Sequence, residues 1–280
     1  MTIFESRIWR YRYTKTIIGT IFVLIYLFPV YWMVTTSLKS SRDIFATSPK
    51  LLPIPPNWTS YQAEVLHNPE LLTVFGNSLI ICFGTMLLTL ILAVPGTYAL
   101  ARLKIRWAGL LLLFMLISQL LPSIVIAGPL FVAFSKIGLL NTHIGLILAD
   151  TTITLPFSVI ILRPFFLSVP EELEAAAKVD GCTQFGVLWR IVLPYVRPGL
   201  VTVAAFAFLI AWGEFVFALS LNTNDNQPIT VALNKFIGQY GTFWNNLMAV
   251  STVTALPIIV TFAGLQRFIV GGLTAGALKE

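Results

Sequence analysis

Long apolar runs alternate with short polar segments along most of the chain. Six of these runs are each close to the ~20 residues that a helix needs to cross the hydrocarbon core of a membrane. The runs cover residues 16–38, 71–95, 108–134, 144–162, 199–221 and 247–270. The pattern predicts an all-α polytopic membrane protein with six transmembrane helices, folded as a single transmembrane domain over residues 1–280.

The first apolar run follows four basic residues, which is also how a secretory signal begins. The run is too long for a signal core and has no small-residue cleavage site, so a retained span is the better interpretation. Proline removes a backbone donor and clashes with the preceding helical turn. We therefore expect Pro29 to kink the first span, and Pro122 and Pro129 to break or bend the third.

Composition and charge support a membrane protein and give its orientation. Charged residues make up 11% of the chain, against about 25% in soluble proteins. Of the 18 Lys and Arg residues, 13 lie in the N-terminus, the 102–106 turn, the 163–198 loop and the C-terminal end; five lie in the alternate loops. By the positive-inside rule, both termini and the 163–198 loop are cytoplasmic. The excess positive charge is thus a topology signal, and no nucleic-acid partner is expected.

The sequence predicts no metal site and no disulfide. Cys82 falls in a predicted span and Cys182 in the 163–198 loop, so we expect two free thiols. Neither His67 nor His143 has a cysteine or histidine at the spacing of metal ligands.

The 163–198 loop is the most informative polar segment, with four of the chain's twelve carboxylates. Ser168 and Glu171 have the spacing of a capping box, and Pro170 suits a first helical turn. Alanines propagate this helix, and Gly181 is expected to end it in a left-handed conformation.

A second short helix is expected to start near Thr183 and to end by Val192, because Pro194 disfavours helix at the residue before it. An apolar face for packing on the spans is formed by Phe185, Leu188, Trp189 and Val192. The alternative is a loop lying flat on the membrane. Such helices are normally basic on their polar face, whereas the first helix here is acidic.

Three sequence elements of this loop resemble the EAA signature of the permeases of ATP-binding-cassette (ABC) importers. They are Glu174-Ala175-Ala176, Asp180-Gly181 and Ile191-x-Leu193-Pro194. The segments Trp212-Gly213-Glu214-Phe215 and 272–277 further resemble the carbohydrate-uptake, MalG-like type. Gly213 departs from the pattern, because many relatives have asparagine there.

The resemblance implies that the loop is a coupling helix that docks on a cytoplasmic ATPase. The implied docking residues are Glu171, Glu174, Ala175, Ala176, Asp180 and Gly181, with Glu174 forming an ion pair to an ATPase arginine. Thr274 and Gly276 in the tail, residues 271–280, would also contact the ATPase. The 222–246 loop would reach the external solute-binding protein.

The resemblance also implies the partners. They are a second, MalF-like permease, two ATPase subunits, the external solute-binding protein and membrane lipid, in a bacterial inner membrane. ATP and Mg²⁺ would be bound by the ATPase, and no cofactor is expected in this chain, which has no GxxxxGK[ST] phosphate loop. The chain is therefore expected to be non-catalytic.

Two acids fall in apolar runs, where ionisable groups usually face a cavity or a partner. Trp212, Glu214 and Phe215 are candidates for the sugar path; the alternative for Glu214 is a structural hydrogen bond at the interface with the second permease. Asp150 is expected to cap or pair locally near a helix bend.

The implied cargo is a disaccharide, an oligosaccharide or a related glycoside, and the alternative is a polyol or glycerol-3-phosphate. A self-sufficient secondary transporter would need more intramembrane charge or an internal repeat of the spans. An intramembrane enzyme would need a set such as HExxH or GxSxG, and the sequence has neither.

Overall fold

The computed structural model describes the backbone of residues 3–222, 226–238 and 241–277, and the side chains of 14–222, 226–238 and 241–266. The described residues are overwhelmingly helical, as predicted. They form two compact units: residues 1–69 with 235–255, and residues 70–234 with 256–280. That residues 1–280 fold as a single transmembrane domain stays a prediction.

Within the described ranges, four helices are long and apolar enough to cross a membrane: α1 (Ile3–Ser37), α3 (Pro69–Arg102), α6 (His143–Leu167) and α13 (Trp244–Ala277). Two bent helix pairs, 108–118 with 123–137 and 184–195 with 197–213, raise the number to six if each pair counts as one span. Pro29 lies inside α1. In α1 the apolar side chains from Ile17 to Phe28 are exposed, which fits a surface facing lipid.

The predicted third span is broken, as its prolines suggested. It consists of α4 (Ala108–Ser118) and α5 (Ser123–Ile137), bent by 100°. The break falls at Pro122, which precedes the first residue of α5 in extended backbone, whereas Pro129 is accommodated inside α5.

The predicted fifth span is also interrupted. Helix α10 (Arg197–Gly213) ends just before Glu214, and the short α11 (Val216–Leu221) follows. Helix α12 (Ile229–Asn234) comes after the intervening loop. Glu214 therefore lies in a helix break and not inside a continuous span.

The 163–198 loop contains α7 (Glu171–Val179), α8 (Gln184–Val187), a π-helical turn (Leu188–Val192) and α9 (Leu193–Tyr195). A buried apolar cluster joins this loop to the ends of α3, α6 and α10. Its fully buried members include Leu162, Phe166, Val187, Val192 and Val203. Side chains of the loop are thus part of the core that the adjacent helices share.

A second buried cluster lies where α3, α5, α6, α11 and α12 meet, and Phe217 is its largest fully buried side chain. Gly84 on α3 permits the approach of α6, because a Cβ at this position would lie 2.4 Å from the Ile147 side chain. This cluster surrounds the break in the fifth span.

The first unit includes α1, α2 (Ser41–Ile44), a π-helix (Tyr61–Leu66), the antiparallel pair β1 (Ile237–Gly238) and β2 (Gly241–Thr242), and the start of α13. Polar contacts tie distant segments of it together. Asn246 accepts a hydrogen bond from Ser60 and donates one to Glu64. Two further contacts lie near the end of α1. The Lys39 ammonium is buried over the ring of Trp32, at 4.2 Å from the ring centroid. A hydrogen bond from Lys50 and another from Ser40 lower the pKa of Asp43.

Candidate functional site

Helix α7 begins immediately after Pro170, which is its N-cap residue: the proline ring holds φ at −59°, and a ψ of 133° turns the chain into the helix. Acidic residues fill its first turn, where the helix dipole favours negative charge. The predicted capping box is wrong. Ser168 instead donates from Oγ to the Phe165 carbonyl at 2.8 Å, and so belongs to the end of α6. The start of α7 is therefore fixed by the proline and not by a serine cap.

The predicted end of α7 is confirmed. Gly181 has φ of +84°, a region that side chains with a Cβ adopt only with strain. The turn is closed by two backbone hydrogen bonds beyond the last helical one: the Gly181 N–H donates to the Lys178 carbonyl at 3.1 Å, and the Cys182 N–H donates to the Ala177 carbonyl at 2.9 Å. Thr183 then starts α8 as predicted, because its Oγ1 accepts from the Gly186 N–H at 3.2 Å.

The second helix does not end by Val192, and that expectation is wrong. A π-helical turn leads into α9, in which Pro194 occupies one of the first helical positions. A proline there needs no intrahelical donor, so the chain continues as helix. The predicted apolar face is half confirmed: Leu188 and Val192 are buried, whereas Phe185 and Trp189 are 69% and 56% exposed.

Glu174 faces the inside of the protein, which corrects the expectation of an ion pair with an ATPase arginine. Its side chain is 7% exposed, and Oε1 lies 2.8 Å from Nε of Arg102 at the end of α3. The Arg102 side chain is 9% exposed and also donates to the Val169 carbonyl. Arg102 therefore already neutralises the Glu174 carboxylate within the chain.

Tyr98 completes the connection between α3 and the loop. Its hydroxyl donates to Oε2 of Glu174 at 3.0 Å and accepts from Gln184 of α8 at 2.6 Å. Tyr98 and Arg102 are four residues apart, so both lie on one face of α3. We call Tyr98, Arg102, Glu174 and Gln184 the bracing network. Of this network, the sequence analysis singled out only Glu174. The one pattern that could have indicated Tyr98 and Arg102 is their spacing of one helical turn at the end of an apolar run.

The opposite face of α7 is exposed and mostly small or apolar. Ala175, Ala176, Asp180 and Gly181 are all exposed, as a docking role requires. Val179 is 88% exposed and Leu173 is 43% exposed. Ala175, Ala176 and Val179 are neighbours on this side of the helix and form one exposed surface of small and apolar side chains. We call Ala175, Ala176 and Val179 the α7 docking face. The Glu171 side chain is also exposed, at 90%, and its Oε1 lies 3.7 Å from Nη1 of Arg102.

The two tail residues Thr274 and Gly276 lie in the helical backbone of α13. Their side chains are outside the described residues. Their expected ATPase contact stays a prediction.

Trp212 does not line an open path. It is 3% exposed and is packed between two rings of its own chain: it stacks on Phe208 with centroids 5.7 Å apart and meets Phe75 edge-on at 5.4 Å. Sugar stacking requires an uncovered ring face, so this expectation is corrected. Phe215 is half-buried and packs beside the cluster around Phe217.

Glu214 serves as the cap of α11. Its carboxylate accepts hydrogen bonds from the Phe217 N–H at 2.9 Å and the Ala218 N–H at 3.1 Å. Thr230 donates to its backbone carbonyl at 2.8 Å. The structural hydrogen bond considered from the sequence is therefore present, but within this chain and not across an interface.

Asp150 neither caps nor pairs, so that expectation is wrong. It lies on α6, is 3% exposed, and its Oδ1 has no hydrogen-bond partner among the described residues. With Glu214 and Ser78 it borders a cavity of about 10 Å³. No group of three or more potential metal-ligating side chains occurs within the described ranges.

A model of the family described as "binding-protein-dependent transport system inner membrane component" matches residues 85–274. The chain is 35% identical over 271 residues to the trehalose transport system permease protein SugB of Mycobacterium tuberculosis, covering 94% of this chain and 96% of that protein. It is 34% identical over 254 residues to the sulfoquinovosyl glycerol transport system permease protein SmoH of Agrobacterium fabrum, covering 90% and 89%.

The fold is similar to that of a solved chain from a bacterial ABC transporter involved in the import of alginate, an acidic polysaccharide. The TM-score is 0.78 at 22% identity, and the match covers 95% of this chain and 98% of the other. The family model spans more than half of the chain and includes α7 with its docking face. The chain therefore belongs to the family of inner membrane components of binding-protein-dependent transport systems.

Proposed function

We propose that this chain is a non-catalytic permease subunit of an ATP-driven sugar importer, and that α7 couples it to a separate ATPase. The observation that carries the proposal is the arrangement of α7. Its outer side is the exposed α7 docking face, and its inner side is joined to α3 by the bracing network. A helix held this way transmits a displacement of its docking face to a membrane helix.

Coupling needs both halves of this arrangement. ATP shifts a conformational equilibrium only if its binding changes contacts that differ between the two states. The small side chains of Ala175 and Ala176 permit the close approach of a partner, and Val179 supplies apolar area to bury. Arg102 then passes the movement to α3, which is 34 residues long. In this proposal Glu174 acts as a positioning residue behind the contact surface, and Asp180 and Gly181 lie at its edge.

The proposed topology has six spans with both termini and the α7–α9 segment in the cytoplasm. The distribution of Lys and Arg supports it, as do the four long apolar helices, the bent pair α4–α5 and the apolar helix α10. The proposed assembly follows the family. This chain and a second, MalF-like permease each form half of the translocation path. Two ATPases bind ATP and Mg²⁺, and an external solute-binding protein docks on the outer loops.

The proposed cargo is a disaccharide, an oligosaccharide or a related glycoside. The names of the relatives support this class: one is a trehalose permease and another a sulfoquinovosyl glycerol permease. Because Trp212 is covered and Glu214 is engaged as a cap, selectivity is proposed to lie with the binding protein and the second permease.

Reconstitution tests the proposal. The complex of this chain with its second permease, ATPase and binding protein is placed in liposomes, and uptake is measured for trehalose, a glycosyl glycerol, a polyol and glycerol-3-phosphate. Sugar uptake that requires both enclosed ATP and the binding protein is expected. Uptake without ATP would overturn the importer, and uptake of only the polyol or the phosphate ester would overturn the sugar class.

A further inference from the structure

An arginine and several apolar side chains line a groove between helices α4 and α6. The groove has a volume of about 380 Å³, within the range of roughly 300–1,000 Å³ that is usual for pockets that hold organic ligands. Leu112 and Leu116 of α4 and Ile160 of α6 form its apolar wall. Arg163 of α6 is the one charged side chain among the described residues that line it. The groove is thus apolar along its wall and positively charged at one place.

The register of the two helices explains why there is room beside Arg163. At the far end of α4, Gln119 donates a hydrogen bond to the Ile153 carbonyl of α6 at 3.1 Å. Gly109 and Arg163 lie equally far from this contact along the two helices, and both line the groove, so the helices are antiparallel and these two residues are level. A Cβ at Gly109 would meet no atom within 4 Å. The glycine therefore leaves room for a bound molecule next to the guanidinium.

The charge of Arg163 is not balanced by the described part of the chain. Among the described residues, no aspartate or glutamate forms an ion pair with Arg163, and its buried Nε has no hydrogen-bond partner. An arginine between membrane helices is unfavourable unless its charge reaches water or an anion. A neutral apolar molecule in the groove would cover the guanidinium without pairing it. The groove therefore fits a molecule that has both an apolar chain and a negative charge.

The groove opens at the level of the lipid headgroups. Arg163 lies near the end of α6, and Gly109 lies in the first turn of α4. Just before this turn, Trp107 is 62% exposed, and the Arg106 guanidinium lies 5.9 Å from the centroid of its ring. Exposed tryptophan and clustered basic residues at helix ends are typical of the cytoplasmic membrane–water interface. In the topology proposed above, this end of both helices is the cytoplasmic one.

We propose that the groove binds one anionic phospholipid of the cytoplasmic leaflet. The Arg163 guanidinium pairs with the phosphodiester, because its planar fork matches two phosphate oxygens. One acyl chain lies along Leu112, Leu116 and Ile160, and Arg106 adds positive charge near the headgroup. Basic pockets between membrane helices on the cytoplasmic side bind anionic headgroups in this way.

The bound lipid joins α4 to the end of α6 that leads into α7, so it stabilises this part of the folded chain. A zwitterionic lipid has the same acyl chains but a neutral headgroup, and is expected to bind more weakly. The assignment to the cytoplasmic leaflet rests on the proposed topology. The pairing of an anionic lipid with Arg163 is independent of the cargo and of the ATPase.

Lipid titration of the purified importer complex in detergent tests the site. Phosphatidylglycerol is compared with phosphatidylcholine that has the same oleoyl chains. Phosphatidylglycerol is expected to raise the unfolding midpoint of this chain about 4 °C or more above the value in phosphatidylcholine, because a ligand that binds only the folded state stabilises it. Native mass spectrometry is expected to count more phosphatidylglycerol than phosphatidylcholine on the complex. Equal midpoints and equal counts for the two lipids would overturn the proposal.

Arg163→Gln is the matched variant, because it removes the charge and keeps a long polar side chain. It is expected to lose one bound phosphatidylglycerol and the difference in midpoint between the two lipids. The control Arg190→Gln removes an exposed arginine that does not line the groove, and it is expected to keep the wild-type preference. An unchanged preference in Arg163→Gln would contradict the site.

Gly109→Leu tests the groove with the charge intact, and decides if Arg163→Gln does not assemble. The added side chain has room in the groove and is expected to displace the lipid, so one phosphatidylglycerol fewer is counted. Full retention would overturn the proposal. A midpoint raised equally by inorganic phosphate would show that phosphate alone binds, without a lipid chain. Loss of the second permease from the Arg163→Gln complex, with no lipid preference in the wild type, would show that a protein fills the groove instead.

Discussion

Nε of Arg102, the last residue of α3, lies 2.8 Å from Oε1 of Glu174 in the middle of α7. Both side chains are almost fully buried, at 9% and 7% exposure. The glutamate of the EAA element thus binds to the membrane domain itself. The surface left for a partner is the α7 docking face, on the other side of the same helix.

Removing one member of this pair is expected to destabilise the chain. Arg102→Gln or Glu174→Gln leaves the other charge buried, which typically costs about 3 kcal/mol or more. The measurement is the unfolding midpoint of the purified chain. Glu171→Gln is the matched control, since an exposed pair contributes no more than about 1 kcal/mol. Equal effects of Glu171→Gln and Glu174→Gln would contradict the burial described here.

Gly181→Val is expected to loosen the junction between α7 and α8. A residue with a Cβ in the left-handed region costs roughly 1–2 kcal/mol, and a β-branched one fits it worst. Co-purification with the ATPase is expected to fall, because α7 is no longer held at a fixed angle to α8. Gly186→Ala is the control, because its added Cβ meets neighbours no closer than 3.5 Å. Full ATPase retention by Gly181→Val would show that the turn does not matter for docking.

Val179→Glu tests the α7 docking face without touching the core. The side chain is 88% exposed, so the free chain is expected to keep its stability within about 0.5 kcal/mol. A charge buried against a partner is unfavourable, so association with the ATPase is expected to weaken at least ~10-fold. Val179→Ile is the conservative control. Normal association of Val179→Glu would place the contact elsewhere.

Glu214→Ala is expected to act on assembly and stability rather than on cargo choice. It removes the acceptor for the Phe217 and Ala218 N–H groups, and loss of such a cap costs about 1 kcal/mol. Glu214→Gln keeps an acceptor oxygen and is expected to be milder. Thermal unfolding and a panel of sugar uptake rates distinguish the roles. A changed order of preferred sugars in a stably assembled Glu214→Gln complex would instead show that Glu214 lines the sugar path.

Local rules were sufficient to predict much of the coupling segment. The left-handed glycine at 181, the start of α8 at Thr183 and the break at Pro122 each depend on a few neighbouring residues, and all three are confirmed. Ser168 shows the limit of such rules. Its spacing to Glu171 satisfied the capping pattern, but the hydroxyl found the Phe165 carbonyl of the preceding helix instead.

Contacts between residues that are distant in the sequence could not be predicted from local patterns. Arg102 and Tyr98 meet Glu174 only because the ends of α3 and α6 pack together around Phe166, and no local pattern carries that information. The same holds for Trp212, which the sequence made a candidate for the sugar path. Phe75 of a distant helix covers part of it, and the result is a packed core.

The most direct test of the central claim is the ratio of sugar uptake to ATP hydrolysis in the same proteoliposomes. Complexes are compared that contain the wild type, Arg102→Gln or the exposed-acid control Glu172→Gln, each checked for complete assembly. If α7 drives α3 through Arg102 and Glu174, Arg102→Gln continues to hydrolyse ATP while its uptake per ATP falls about 10-fold, and Glu172→Gln behaves as the wild type. An unchanged ratio in Arg102→Gln would contradict the account.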